Sequence, residues 1–443
     1  MEIRFYNSLT NKLETFIPIK ENEVSIYVCG PTVYNDPHIG NMRPVVFFDT
    51  IRKFLESVGY DVKYVSNYTD VDDKIINKAL SEVVSEKEIA SRYIKAYEDC
   101  LEKLNVKKAT LNPKVTDYIP QIIDYIDNLL KKGYAYIEDG EVFFDVSKVK
   151  DYGILSKIDV NNLINNARVE NNSKKHNQLD FLLWKKTSEG IKWKTPFCDG
   201  RPGWHTECCV MIDSIFGGFI DIHGGGSDLK FPHHENEIAQ AEATNGNHLA
   251  KYFLHTAMMN ISGEKMSKSL GNVILAKDAI EEYGANVIRL CLINAQYRQI
   301  INFTDKLIED NKSILNKLVN CYKQLSLKLQ LNNISLEGTS NKIDKFYEYL
   351  ADDFNIPNAI TYMLDIIKDA NMEIRKKEPN FAGLSEDFYT LNQIIYILGL
   401  SVNYTILNKE DLEIYKEYEI EKANKNFTRS DELRAILISK NIL

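Results

Sequence analysis

His233 and Glu237 stand four residues apart in the stretch 231–240, FPHHENEIAQ. On a helix that spacing puts imidazole and carboxylate on one face. Imidazole and carboxylate so placed make half of a zinc site. Two familiar ways of completing such a half are excluded. No CxxC pair exists, which removes a zinc ribbon, and HENEI is not HExxH, which removes a zincin-type protease. The seven cysteines, Cys29, Cys100, Cys198, Cys208, Cys209, Cys291 and Cys321, are odd in number and scattered. They do not read as a disulfide framework, and most are expected to be small buried hydrophobes. A cysteine beside a metal or phosphate motif is the exception to look for.

The elements that must position these residues can be read in order. Residues 23–29 (EVSIYVC) form an apolar run of strand length. A turn bearing Gly30, Pro31 and Pro37 follows, then a helix over 43–58 with Phe47, Ile51, Leu55 and Val58 on one stripe, then a strand over 61–67. Strand, glycine-bearing loop and helix bring helix-terminal amides up to a phosphate, and the βαβ order calls for a parallel sheet. Helices are expected over 69–80, 85–104 and 118–132. The run 133–146 alternates around Asp139-Gly140 as a hairpin. The stretch 154–178 is polar and read as a mobile excursion, with further strands at 180–186 and 190–193. A helix over 203–216, a strand over 219–223, the glycines 224–226, the His233 helix and a strand near 252–258 make a second βαβ half. From 277 to about 403 the pattern is helical, which suggests a bundle. Residues 411–443 read as helix, turn, helix.

The expected fold class is therefore α/β: a Rossmann-type parallel sheet split by an insertion, then an α-helical bundle and a small C-terminal domain. The expected parts are 1–111 and 201–260 for the two half-sheets, 112–200 for the insertion, 261–305 for a loop and stem region, 306–403 for the bundle and 404–443 for the end domain. The 443 residues carry 44% hydrophobic content and a net charge of −9. That charge argues against a wholesale nucleic-acid binder while leaving room for a local basic face. No apolar run reaches the roughly 18 residues of a membrane span. The start lacks the pattern of a signal peptide, so a cytoplasmic protein is expected.

Two short motifs sit on this frame. The stretch 31–41 begins at Pro31 and ends in His38-Ile39-Gly40-Asn41, where the first helix opens. Residues 265–269 read Lys265-Met266-Ser267-Lys268-Ser269, in a loop after the second half-sheet. Alone each is weak; in this order on a split nucleotide-binding sheet the chain resembles the class I aminoacyl-tRNA synthetases. Such enzymes place an amino-acid carboxylate against the α-phosphorus of ATP and expel pyrophosphate. A histidine donor and two mobile ammonium groups suit the negative charge that builds there. The resemblance assigns His38 and Asn41 (in place of the more usual second histidine) to the phosphates, and Lys265 and Lys268 to the pyrophosphate, Lys268 being the ATP contact.

In a doubly wound sheet, ligands gather at the carboxyl ends of the strands. Cys29 ends the first strand there, Cys208 lies on the helix before the 219–223 strand, and His233 and Glu237 follow that strand. Two thiolates, an imidazole and a carboxylate suit zinc. The set resembles the zinc site of the cysteinyl-tRNA synthetase family. YVCGPTVYNDPHIGN, NYTDVDDKI, GRPGWHTEC, DIHGGGSDLKFPHHENE and GEKMSKSLGN match that family in order, over 27–272.

The resemblance implies one zinc that takes the substrate's thiolate as an added ligand, ATP with Mg²⁺, L-cysteine and tRNA(Cys) as partners, and a monomer. It implies Thr69 and Trp204 as walls and amino-group contacts of the amino-acid pocket, and Asp228 as the ribose acid. Gly225 and Gly226 would let the backbone approach the nucleotide. Cys209 points about 100° from Cys208 on a helix and is read as core. His205, His223 and His234 either orient the ligands or simply pack. His176, His248 and His255 are read as structural or exposed. Lys425, Arg429 and Arg434, in the end domain, are candidate tRNA phosphate contacts. The runner-up is a paralogous ligase joining cysteine to an amino sugar; a non-catalytic zinc or nucleic-acid-binding module stands behind it.

Overall fold

The computed structural model describes residues 1–157, 174–261, 263–265 and 272–443. The chain divides into two compact units, one of residues 2–282 and 297–303, the other of 283–296 and 304–443 with Met1.

The first unit is built on four parallel strands: β1 (Glu23–Val28), β2 (Asp61–Ser66), β3 (Ile220–Gly226) and β4 (Ala250–Thr256), in the order β4-β3-β1-β2. Val24, Ile26, Tyr27 and Val28 of β1 are all buried, as a central parallel strand covered on both faces requires. The register sets Ile26 beside Ile222, Tyr27 beside His223 and Val28 beside Gly224. From β1 the chain crosses to β2 on one side, and from β3 to β4 on the other. The carboxyl ends of β1 and β3 therefore flank the switch-point crevice where open sheets bind ligands.

Three helices serve that crevice. α1 (Ile39–Ser57) buries Val46, Phe47, Phe48, Ile51, Phe54 and Leu55. His38 caps it in a reciprocal box with Asn41, whose Oδ1 accepts from the His38 N–H at 3.0 Å. α2 (Glu207–Phe216) and α3 (Glu235–Asn245) lie on either side of β3 in sequence. Gly30, just past β1, has no room for a side chain: a Cβ there would lie 1.6 Å from the Asn67 carbonyl oxygen.

The insertion holds the helix Ile119–Lys131 and a four-stranded antiparallel sheet of Ala135–Glu138, Glu141–Phe144, Phe181–Lys186 and Gly200–Pro202. Asp139 and Gly140 take φ of 52° and 84°, as the tight hairpin needs. Three expectations are corrected here. Residues 190–193 form no strand; Trp193 makes a single bridge to Gly200, and the fourth strand is Gly200–Pro202. The helix expected from 203 starts only at Glu207, because Gly203 packs against the Leu182 backbone, where a Cβ would fall 1.9 Å from the Leu182 oxygen. The helical pattern from 277 onward is interrupted by the strand Ile301–Phe303, which pairs in parallel with Met259–Ile261. An N-terminal hairpin, Arg4–Asn7 with Lys12–Thr15, carries no clear sequence signal. Of the polar stretch 154–178, residues 158–173 lie outside the described residues.

The second unit contains the helices Ala285–Ile293, Asp305–Leu331, Ile343–Ala351, Ile356–Ile374 and Phe381–Leu398, packed through fully buried Leu325, Phe346, Met363, Phe388 and Leu391. Lys409–Ala423 and Phe427–Ser439 follow, joined by a small cluster of Tyr418, Leu433, Leu437 and Ile442. No described helix is long and apolar enough to cross a membrane.

Candidate functional site

Cys29 stands one residue past β1, Cys208 in the first turn of α2, His233 in the wide turn before α3, and Glu237 in the first turn of α3. The turn at 230–234 is not regular helix, since Phe231 is extended at φ −139° and ψ 133°. His233 and Glu237 nevertheless meet, Nε2 to Oε1 at 2.8 Å. Three further edges are Cys29 Sγ to Cys208 Sγ at 3.7 Å, Cys208 Sγ to His233 Nε2 at 3.7 Å and Cys29 Sγ to Glu237 Oε1 at 3.8 Å. All four donor atoms lie within 4.8 Å of one another.

These distances test the fit of a metal. Zinc bonds of roughly 2.3 Å to sulfur and 2.0 Å to nitrogen give tetrahedral edges of about 3.8 Å for S–S and about 3.5 Å for S–N. The sulfur edges match, and the closer His233–Glu237 pair is the hydrogen bond that a metal would replace. The residues fit zinc. A second grouping, Cys29, His223, His234 and Glu237, also converges. The first is preferred because Cys29, Cys208 and His233 line the cavity described below, whereas His223 and His234 do not.

The electrostatics suit a buried cation. Burial alone would raise the Glu237 carboxyl, yet His233 and His223 overcome it and hold Glu237 well below its usual range. Burial, aided by Cys208 and Glu237, pushes the Cys29 thiol up. Burial works the same way on Cys208, but the hydrogen bond with Cys29 and the His233 charge outweigh it and bring the thiol to about 7.

The surrounding histidines touch the donors. His223 reaches Glu237 Oε2 from Nε2 at 2.5 Å and the Tyr27 carbonyl from Nδ1 at 3.0 Å. His205 Nδ1 lies 3.2 Å from His233 Nδ1, and His234 Nε2 lies 3.3 Å from Cys29 Sγ. His255, read from sequence as structural or exposed, continues the chain: Nε2 is 2.9 Å from His234 Nδ1, and Nδ1 is 2.9 Å from Ser8 Oγ. Its place on β4 opposite the triple-glycine end of β3 was the only available signal. Cys209 is core, its Sγ facing the Glu237 carbonyl.

A cavity of about 490 Å³ opens from the donor cluster to the start of α1. His38, Asn41, Thr69, Trp204, Gly226 and Asp228 all line it. The Trp204 ring lies 4.5 Å from that of His233, forming a wall beside the metal donors. A Cβ at Gly226 would meet Asp228 Oδ1 at 2.5 Å, so a larger residue there would displace the Asp228 side chain. Thr256 Oγ1 is buried in the same lining with no hydrogen-bond partner among the described residues, a hydroxyl that a bound ligand would satisfy.

Lys265 belongs by its backbone to the two-residue strand Glu264–Lys265, paired with Met259–Ile261. Lys268 lies outside the described residues. Beyond them the chain returns to the site: Leu275 bridges His38, the Ile39 N–H donates to Ile274 O at 2.9 Å, and the Ala276 N–H donates to Pro37 O at 2.9 Å. In the second unit, Lys425 and Arg434 are exposed, while Arg429 is engaged by Glu417 at 2.8 Å and Glu432 at 3.0 Å.

Residues 15–313 match the family model described as the tRNA synthetases class I (C) catalytic domain, and residues 345–403 match the DALR domain. The chain is 43% identical to a cysteine–tRNA ligase of Acholeplasma laidlawii, covering all of both chains. It is 43% identical to that of Listeria monocytogenes serotype 4a, over all of this chain and 97% of the relative. Among solved structures, the methionyl-tRNA synthetase of Mycobacterium tuberculosis with methionyl-adenylate superposes at a TM-score of 0.61 and 16% identity, covering 85% of this chain and 89% of the other. A leucyl enzyme of Agrobacterium radiobacter K84, in a ternary complex with tRNA, superposes at 0.63 and 12% identity, over 87% and 85%. At those identities the likeness is one of fold.

Proposed function

The chain belongs to the cysteine–tRNA ligase family of class I aminoacyl-tRNA synthetases, and from that premise we propose how its own residues divide the work. It is a ligase that activates L-cysteine with ATP to cysteinyl-adenylate and transfers the cysteinyl group to tRNA. The amino-sugar ligase reading finds no support, since full-length relatives are cysteine–tRNA ligases and a DALR domain follows the catalytic one.

Cys29, Cys208, His233 and Glu237 would hold one zinc ion at the base of the cavity. When bound there, zinc would take the substrate's sulfur as thiolate, which serine's harder hydroxyl and alanine's methyl cannot match. Trp204 and Thr69 bound the cavity above those donors and orient the amino acid. Asp228 accepts from the ribose, and Gly226 leaves room for the nucleotide. His38, at the start of α1 beside Asn41, donates to the phosphates with the helix-terminal field behind it. Lys265 and Lys268 stabilise the leaving pyrophosphate with Mg²⁺. Lys425, Arg429 and Arg434 contact tRNA(Cys), Arg429 exchanging its carboxylate partners for phosphate. The working protein is a cytoplasmic monomer.

The observation that carries this reading is the convergence of two sulfur donors, an imidazole and a carboxylate, with the sulfur edges at 3.7 to 3.8 Å, beside one cavity with the His38 cap. Metal content measured together with cysteine-dependent ATP–pyrophosphate exchange tests it. One zinc per chain, exchange with cysteine and none with serine are expected. Full exchange by metal-stripped protein, or equal exchange with serine, overturns it.

A further inference from the structure

Four further residues of the cavity lining, Tyr34, Lys74, Tyr93 and Tyr97, belong to none of the parts assigned above to cysteine, ribose or phosphates. Tyr34 stands in the loop between β1 and His38. Lys74 lies in the first turn of the helix Asp73–Glu82, and Tyr93 and Tyr97 are one turn apart on the helix Glu86–Lys103 that packs against it. The Lys74 ammonium is 5.3 Å from the centre of the Tyr34 ring. Lys78, four residues on and so on the same helix face, is 5.1 Å from the centre of the Tyr93 ring. Lys78 also pairs with Glu82 at 3.4 Å, whereas Lys74 has no carboxylate partner among the described residues. The acids beside it in sequence are in use: Asp72 accepts from the Lys74 backbone N–H at 2.9 Å, and Asp73 is held by Lys185 and Arg201. Tyr97 is 5% exposed, and its hydroxyl makes no hydrogen bond to a described residue.

Ammonium groups alternating with aromatic faces suit a single-stranded nucleic acid, because the cations follow its phosphates and the rings stack on its bases. The transfer step calls for such a ligand in this cavity. A ribose hydroxyl at the end of the tRNA must reach the carboxyl carbon of the adenylate, so the last nucleotide lies inside and the strand behind it runs out. Resting on the cysteine-transferring function proposed above, we infer that Tyr34, Lys74 and Tyr97, with Lys78 and Tyr93 one turn further along, form the subsite for the single-stranded 3′ end of the tRNA. Lys74 takes a phosphodiester group, exchanging its contact with the Tyr34 ring for a full negative charge. The Tyr34 face it leaves carries a base. Burial pushes the Tyr97 hydroxyl up, so it stays protonated and donates to the entering nucleotide. Lys78 and Tyr93 repeat the pairing of cation and ring for the strand outside the cavity. The ATP phosphates have their own partners at the start of α1, so Lys74 serves the second substrate of the reaction rather than the first.

The test compares binding of two tRNA(Cys) transcripts at one fixed salt concentration, one complete and one lacking its unpaired 3′ nucleotides. Wild type should favour the complete transcript by about 10-fold, the weight of one stacked base. In Lys74→Gln and in Tyr34→Ala that preference should fall to about twofold or less, while the shortened transcript binds as it does to wild type. Lys74→Arg and Tyr34→Phe, which keep the cation and the ring, should retain the preference. Lys74 is exposed, so its replacement carries the test should Tyr34→Ala fold poorly. Single-turnover transfer from preformed adenylate should drop in Lys74→Gln by about 10-fold more than cysteine-dependent ATP–pyrophosphate exchange does. An unchanged preference in Lys74→Gln overturns the assignment. Equal losses of exchange and transfer also overturn it, since Lys74 would then serve the phosphates of ATP. Wild type that exchanges with cysteine yet binds both transcripts alike overturns it while leaving cysteine activation intact; wild type without cysteine-dependent exchange overturns both.

Discussion

His223 Nε2 lies 2.5 Å from Glu237 Oε2, and neither side chain reaches solvent. The other carboxylate oxygen, Oε1, faces His233 and Cys29. One strand residue therefore holds one oxygen so that the other points at the donor cluster. Because His223 is anchored in turn to the Tyr27 carbonyl, the orientation passes from β1 through β3 to α3. Removing His223 as His223→Ala should lower metal affinity about 10- to 100-fold, as for other partners of metal ligands. Competition with a chromogenic chelator measures it; unchanged affinity would mean that His223 only packs.

Cys208→Ser replaces a thiolate with a hard, poorly ionised donor at the same point. The variant should bind less than a tenth of the wild-type zinc at about equimolar metal, and cysteine-dependent exchange should fall with it. Metal analysis and exchange assayed on one preparation decide the matter. Retained exchange without zinc contradicts the role.

Lys268→Ala should separate the two halves of the chemistry. Zinc content and cysteine binding stay at wild-type levels, while exchange drops by about 10²- to 10³-fold, the scale for one electrostatic donor at a transition state. An unchanged exchange rate removes Lys268 from the pyrophosphate site.

Arg43 is buried in α1 and donates to the carbonyls of Ala257, Met258, Tyr297 and Gln299, at 2.6, 2.9, 3.3 and 2.6 Å. Two of these immediately precede the strand Met259–Ile261, against which Glu264–Lys265 is paired. Arg43→Leu leaves those carbonyls unsatisfied and should destabilise the unit by about 3 kcal/mol. Denaturant unfolding measures that loss, and exchange should fall further than zinc content does.

Gly30→Ala places a Cβ 1.6 Å from the Asn67 oxygen. Cys29 on one side and the Asn67–Thr69 pair on the other would be pushed apart. Lost zinc and lost exchange, with a stability decrease of about 3 kcal/mol or more, are expected from overpacking at that contact. A variant with wild-type unfolding and zinc content contradicts the close approach.

Much of the site was legible from sequence because its chemistry is carried by uncommon residue types at constrained spacings. Cys29, Cys208, His233 and Glu237 are named by ligand chemistry, and the strand–turn–helix order around His38 implies the parallel sheet on which they meet. The hairpin at Asp139-Gly140 was equally readable, since its turn demands particular residues. What only the tertiary structure decided depends on neighbours distant in sequence. His255 gives no local sign that it extends the histidine chain. Glu207 looks like an ordinary first-turn helix acid until Thr69, 138 residues away, is found donating to it. Residues 190–193 have strand composition, yet Trp193 makes one isolated bridge to Gly200, and it is Gly200–Pro202 that pairs with Phe181–Lys186. Sequence determined which chemistry the chain can do, because donor type and local period are intrinsic to it. Tertiary packing decided which polar groups complete that chemistry, because hydrogen-bond partners and burial exist only once distant elements meet.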